Sequence, residues 1–199
     1  MSHDPPHILI TPTARPAAQP YRLMTEGEVR MASTIFGDAL DYTRVRIFGR
    51  RYLPFGLQPR NCAMSPNGSI YFHRSCCLTD FSRGDDHARH WFMHEMVHVW
   101  QHQLGYPVRL RGAIRIGLGY RYELAPNKTL ADFNMEAQGD LLADYFVLRH
   151  LRAPRTMRQP RYADSGALFD KVLAGFLANP ADRANLPRRL GRRYPTGYS

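Results

Sequence analysis

At 199 residues, 44% of them hydrophobic, the chain is long enough for one domain with a real core and too short for several. Its formal net charge is +10, carried almost entirely by arginine, with Lys128 and Lys171 the only lysines. No stretch is long and apolar enough to predict a membrane span, and the first residues lack the charged-then-apolar layout of a signal peptide.

Residues 1–20 are rich in Pro, Ala and His and read as a disordered arm. A folded unit is expected over 21–180, followed by a basic tail over 181–199 that contains Arg188-Arg189-Leu190-Gly191-Arg192-Arg193. Residues 25–37 read as a helix, with Thr25 and Glu28 in a capping-box pattern. Val45 and Ile47 alternate with arginines like a short strand. Pro54, Gly56 and Pro59 mark a loop. Cys62-Ala63-Met64, Pro66-Asn67-Gly68 and Ser69-Ile70-Tyr71-Phe72-His73 read as strand, tight turn and strand. Residues 70–73 are either an ordinary internal strand or an edge able to pair with an extended peptide. The three cysteines, Cys62, Cys76 and Cys77, form no C-x-x-C pair. Reduced thiols are expected, with a hairpin bridge from Cys62 as the alternative.

The next element carries the chemistry. His94-Glu95-Met96-Val97-His98 is an H-E-x-x-H pentapeptide within a helix-like run of about twenty residues. Asp85 or Asp86 caps its start, and Gly105-Tyr106-Pro107 ends it. Met93, Met96, Val97, Trp100 and Leu104 form an apolar stripe at helical spacing, and both histidines lie off it. Histidines four apart share a helix face, so two imidazoles can hold one zinc ion. The glutamate between them is placed to act as base on a water at the metal. His90 and His102 cannot complete the site from the same helix. His94 and His102 are separated by about 12 Å of helical rise, and each metal–nitrogen bond spans only about 2 Å. Both are expected to be solvated or to support the ligands. The third histidine of the metzincin pattern is missing as well.

Residues 106–131 read as a glycine-loosened strand pair or a flap, with Gly112, Gly117 and Gly119 interleaved among Ile114, Ile116, Leu118 and Tyr120. A second strong helix opens at Asn134 and runs to about His150, with Phe133, Ala137, Leu141, Tyr145 and Leu148 at core spacing. The chain has five glutamates: Glu26, Glu28, Glu95, Glu123 and Glu136. Glu136 is the one on a helix downstream of the pentapeptide, which makes it the candidate third ligand. Asp140 and Asp144 are its rivals. Asp140 is also suited to accept the N–H of a ligand histidine. Tyr120, Tyr122 and Tyr145 are candidates for stabilising an oxyanion. After a break at Pro154 to Pro160, residues 164–178 form a further helix.

H-E-x-x-H followed by Glu136-Ala137-Gln138-Gly139-Asp140 on a second helix resembles the gluzincin peptidases, the thermolysin-like group. That resemblance implies zinc held by His94, His98 and Glu136, with Glu95 as general base and then acid, and Asp140 as partner of a ligand histidine. A broader resemblance spans roughly residues 21–150. It runs through Leu23-Met24-Thr25-Glu26-Gly27-Glu28, Phe36-Gly37-Asp38-Ala39-Leu40-Asp41-Tyr42-Thr43-Arg44-Val45-Arg46-Ile47, Ile70-Tyr71-Phe72-His73, His94 to Gln103, and Glu136 to Asp140. These segments look like the Vgr-related proteins, bacterial proteins associated with type VI secretion genes and related to the metallopeptidase-like core domain of extracellular contractile injection systems.

The expectation is therefore an α+β, zincin-like metallopeptidase domain, mainly helical, with a small antiparallel sheet before the H-E-x-x-H helix. Zn2+ is the expected cofactor, with Glu95 and Tyr145 as catalytic residues. Its expected partners are a peptide or protein substrate and a Vgr or injection-system component. The resemblance implies a protein cytoplasmic in the producing cell and open to delivery by a contractile system. Two alternatives come from other classes: a metal-stabilised adaptor without turnover, and a peptidoglycan peptide hydrolase. The basic charge suits an acidic partner such as nucleic acid, anionic lipid or cell-wall polymer. No nucleic-acid-binding motif accompanies it.

Overall fold

Thr25 and Glu28 close the capping box that starts the first helix, α1 (Glu26–Phe36). The Glu28 carboxylate, fully buried, also accepts from both Arg22 guanidinium nitrogens and from the Phe81 backbone N–H. One carboxylate thus ties the chain entry, α1 and the segment before the next helix together. The protein was studied as a computed structural model that describes residues 21–53, 57–58, 60, 62–114 and 118–188. The expected arm at 1–20, Pro54, Gly56, Pro59, Ile116, Gly117 and residues 189–199 of the basic tail lie outside the described residues.

Three short strands form one sheet in the order β1 (Arg22–Leu23), β2 (Arg46–Phe48), β3 (Ile70–Tyr71). β1 and β2 are antiparallel, whereas β2 and β3 are parallel, with Ile47 opposite Ile70 and Phe48 opposite Tyr71. The sheet is thus mixed where an antiparallel one was expected. The predicted hairpin at 62–73 accounts for the difference. Met64 and Tyr71 form an antiparallel bridge, so β3 has Met64 on one side and β2 on the other. Gly68 makes the turn at φ +77°, and a Cβ there would lie 2.7 Å from the His102 ring.

Asp85 caps α2 (Asp86–Gln103) through the Ala88 N–H, and Asn134 caps α4 (Met135–Phe146) through the Glu136 and Ala137 N–H groups. Between them lies a short helix, α3 (Val108–Ile114), where a strand pair or a flap was expected. A π-helical turn, Val147–Leu151, continues α4, and Arg152 ends it in the left-handed region at φ 53°. The last helix is α5 (Gly166–Ala178).

The apolar stripe predicted on α2 understates its burial. His90 and every residue from Phe92 to Gln101 are buried, because α1, α3, α4 and β3 all pack against this helix. Trp100 is fully buried among Phe36 and Phe176, and its indole N–H donates to the Pro180 carbonyl. A helix enclosed on all sides must satisfy its polar side chains internally. Its histidines and Glu95 therefore find their partners within the protein.

Candidate metal centre

Helices α2 and α4 run antiparallel, and their facing polar residues pair in register. His90 meets Asp144, His94 meets Asp140, and His98 meets Glu136. Each series steps by four residues, so both lie along one face of their helix. The result is a ladder of three histidine–carboxylate rungs buried between the two helices.

The lower two rungs converge. His94 Nε2 and His98 Nε2 are 3.1 Å apart. Glu136 Oε2 is 3.2 Å from His98 Nε2 and 3.4 Å from His94 Nε2. Ligand atoms about 2.0–2.1 Å from a tetrahedral zinc sit about 3.3 Å from one another, so these three atoms have the spacing of one face of such a site. Among the described residues they are the one group of three His, Cys, Asp or Glu side chains so arranged.

The remaining ring nitrogens are committed elsewhere. His94 Nδ1–H donates to Asp140 Oδ1 at 2.8 Å, and His98 Nδ1–H donates to Gln101 Oε1 at 2.9 Å. Gln101 is oriented in turn, because its amide donates to the Met135 carbonyl and to Gln138 Oε1. Both Nε2 atoms are thus left aimed at the same point, where each can offer a lone pair once its proton is displaced. The donor set, two imidazoles and a carboxylate, suits zinc.

Electrostatics favour a cation there. Burial opposes charge on His94. The hydrogen bonds to Asp140 and Glu136 and the charges of Asp140 and Glu95 outweigh it and push its pKa up to about 10. Burial likewise disfavours charge on His98 and Glu136, yet each holds the other ionised: the His98 pKa is raised, and Glu136 falls well below the carboxylate range.

Glu95 stands beside these atoms, buried, with Oε2 accepting a hydrogen bond from Ser65 Oγ at 2.7 Å. Sequence reasoning missed Ser65. It lies thirty residues upstream, and the Met64–Tyr71 bridge, with the Gln58 amide donating to the Cys62 and Tyr71 carbonyls, ties the 62–66 segment to β3. Gln101 was missed for a related reason, since nothing in the sequence shows that it faces His98. Gly139 has a function as well. A Cβ there would lie 2.6 Å from His94 Cε1, so only glycine lets α4 approach the imidazole this closely.

The triad opens into a cleft of about 820 Å³. Cys62, Ala63, Met64, Ser65 and Pro66 line one part of it, and Val108, Arg109, Gly112 and Ala113 of α3 line another. Residues 70–73 are not its edge, because the backbone N–H and C=O of Tyr71 already bond to Met64. The segment bordering the cleft is 62–65, which joins β3 through the Met64 bridge.

The tyrosines separate clearly. Tyr120 lines the cleft, its ring 6.1 Å from that of His94. Tyr122 is buried and donates to Asp144 Oδ2 at 2.6 Å. Tyr145 is not brought to the cleft: its hydroxyl is 3.4 Å from Asp170 on α5, and its ring packs against Phe169. It lies nine residues after Glu136, which puts it on the far side of α4. Asp144, a rival third ligand, is occupied by His90. His102 is exposed, as expected of a solvated histidine. Cys62, Cys76 and Cys77 form no disulfide among the described residues.

No protein-family profile matches the chain. A stretch of 139 residues, 66% of the chain, is 42% identical to the type VI secretion system spike protein VgrG2b of Pseudomonas aeruginosa strain PAO1. The chain spans only 13% of that relative's length. The solved structure of the effector domain of P. aeruginosa VgrG2b is similar with a TM-score of 0.65 and 38% identity, over 80% of this chain and 88% of that domain.

Proposed function

We propose, from the premise that this chain belongs to the family of the VgrG2b effector domain, that it is a zincin-like, zinc-dependent peptidase of gluzincin type that acts as a type VI secretion effector. One observation carries the reading: the two Nε2 atoms and Glu136 Oε2 converge with zinc-ligand spacing at the floor of an open cleft, beside a carboxylate that is not itself part of the triad.

His94, His98 and Glu136 would hold the ion. When bound, zinc supplies Lewis acidity and a water whose pKa falls towards neutrality. Asp140 and Gln101 hold the two imidazoles in the tautomer that presents Nε2. Glu95 takes the proton from the attacking water and delivers it to the leaving amine. Ser65 keeps that carboxylate on the cleft side. Tyr120 replaces Tyr145 as the side chain suited to stabilise the developing oxyanion. The 62–65 segment offers backbone groups to an extended substrate.

The adaptor reading is weaker. A purely structural zinc is normally closed by a fourth protein ligand, and the group here is three among the described residues. A base held at the cleft also has no use in such a site. The test is turnover of the zinc-loaded protein and its Glu95→Gln variant on a protein panel and on purified peptidoglycan. The reading expects peptide-bond cleavage by the first and none by the second, with zinc retained in both. Cleavage confined to peptidoglycan would move the substrate to the cell wall. Absence of cleavage on either would favour the adaptor.

A further inference from the structure

The third rung of the ladder lies outside the metal triad. Asp144 is fully buried and accepts four hydrogen bonds: from His90 Nε2 at 2.8 Å, Tyr122 Oη at 2.6 Å, and the backbone N–H groups of Arg158 at 2.7 Å and Gln159 at 3.0 Å. A buried carboxylate is costly unless satisfied in this way. Two of its four bonds fix the backbone at 158–159, and Arg158 lines the same cleft as the metal triad.

Arg158 is exposed, and its guanidinium has no hydrogen-bond or ion-pair partner among the described residues. Arg109, on the α3 wall of the same cleft, is in the same condition. Some arginines of this protein are held by carboxylates, Arg22 by Glu28, Arg149 by Asp170 and Arg188 by Asp132, and others are exposed without a partner among the described residues; Arg158 and Arg109 are the two that line this cleft. The carboxylates of the cleft are spoken for. Glu95 holds Ser65, Glu136 holds His98, and Asp140 holds His94. A cleft with a net +10 protein around it thus presents two unpaired guanidiniums and no carboxylate left to meet them. Guanidinium binds carboxylate in a planar, charge-assisted fork.

We infer that Arg158, aided by Arg109, recognises a carboxylate on the substrate, so that the site selects peptides bearing an acidic side chain or a free C-terminus near the bond to be cut. The inference rests on the peptidase reading for its substrate class, and binding tests it separately from turnover. The catalytically silent Glu95→Gln protein, loaded with zinc, is titrated with fluorescent hexapeptides of one apolar sequence. Glu, Gln or Lys is placed at each position in turn, with the C-terminus free or amidated. A Glu peptide is expected to bind about tenfold more tightly than its Gln counterpart if the side chain is read. A free acid is expected to exceed its amide by a similar factor if the terminus is read. Arg158→Ala erases whichever preference is found, and Arg158→Glu reverses it towards Lys. Equal binding of all peptides, or a preference that survives Arg158→Ala, overturns the inference. Cleavage without acidic preference would sink this inference alone. An acidic preference without any cleavage by the zinc-loaded wild-type protein would sink the peptidase reading alone.

Discussion

His94 Nδ1 lies 2.8 Å from Asp140 Oδ1, and this contact leaves Nε2 as the nitrogen of His94 that faces His98 and Glu136. Asp140 is 6% exposed, so solvent cannot easily replace it. Replacing Asp140 with Asn keeps the size but removes the charge that supports the imidazole. Zinc affinity is expected to fall about 10- to 100-fold, the usual effect of losing such a partner. Competition against a fluorescent chelator measures it, and an unchanged affinity would mean that the contact is idle.

Gly139 sits beside that contact. In an ordinary helix interior, Gly to Ala gains about 1 kcal/mol. Here the new Cβ would lie 2.6–2.9 Å from three atoms of the His94 ring. The ring or α4 must move, and either displaces Nε2. Gly139→Ala should therefore weaken zinc binding at least tenfold while failing to raise the melting temperature of the metal-free protein. A more stable variant with intact zinc affinity would show that the helices can separate without cost.

How much of this could be read in advance differs from residue to residue. His94, Glu95 and His98 were legible because one helical turn fixes their geometry. Glu136 was legible because glutamate is scarce in this chain, and Asp140 because i,i+4 spacing puts it on the same face. Ser65, Gln101 and Gly139 were not. Their roles depend on which elements pack together, and a serine in a turn or a glycine in a helix has no periodicity to betray it. Tyr145 failed for a related reason: its spacing signalled burial correctly, but against α5 rather than in the cleft. The sheet was misjudged because a hairpin reads the same whether its second strand pairs onward in parallel or not.

Ser65 offers a cleaner test of the base than Glu95 itself. Its hydroxyl is the hydrogen-bond donor to Glu95 Oε2. Without it, Glu95 is free to turn towards the cation site. Ser65→Ala should lower kcat by roughly ten- to a hundredfold, part of the ~100- to 10,000-fold that a positioned acid–base supplies, with KM little changed. Ser65→Thr should restore most of the loss. An equal fall in Ser65→Ala and Ser65→Thr would point to packing instead.

The pH dependence has a defined sign. In the metal-free fold burial opposes charge on His94, but the hydrogen bonds to Asp140 and Glu136 outweigh it and push its pKa up to about 10, from an ordinary 6.5. The stability this group lends the metal-free protein is complete below about pH 6.5 and is lost as pH rises towards 10. Zinc must displace that proton, and any carried by His98, whose pKa is also raised, so between pH 7 and 9 binding should release at least one proton per ion and tighten at least roughly tenfold per pH unit. Calorimetry in buffers of different ionisation enthalpy reads the proton directly. A binding constant flat across this window would show that His94 is already neutral.

The central claim is that His94, His98 and Glu136 together make one zinc site with Glu95 outside it. Zinc content and affinity of the purified protein, measured beside His94→Ala, Glu136→Ala and Glu95→Gln, test it most directly. One zinc per chain is expected in the wild type and in Glu95→Gln, with loss of the ion in His94→Ala and a fall of at least tenfold in affinity for Glu136→Ala. Full zinc retention in Glu136→Ala, or loss of zinc from Glu95→Gln, would contradict it.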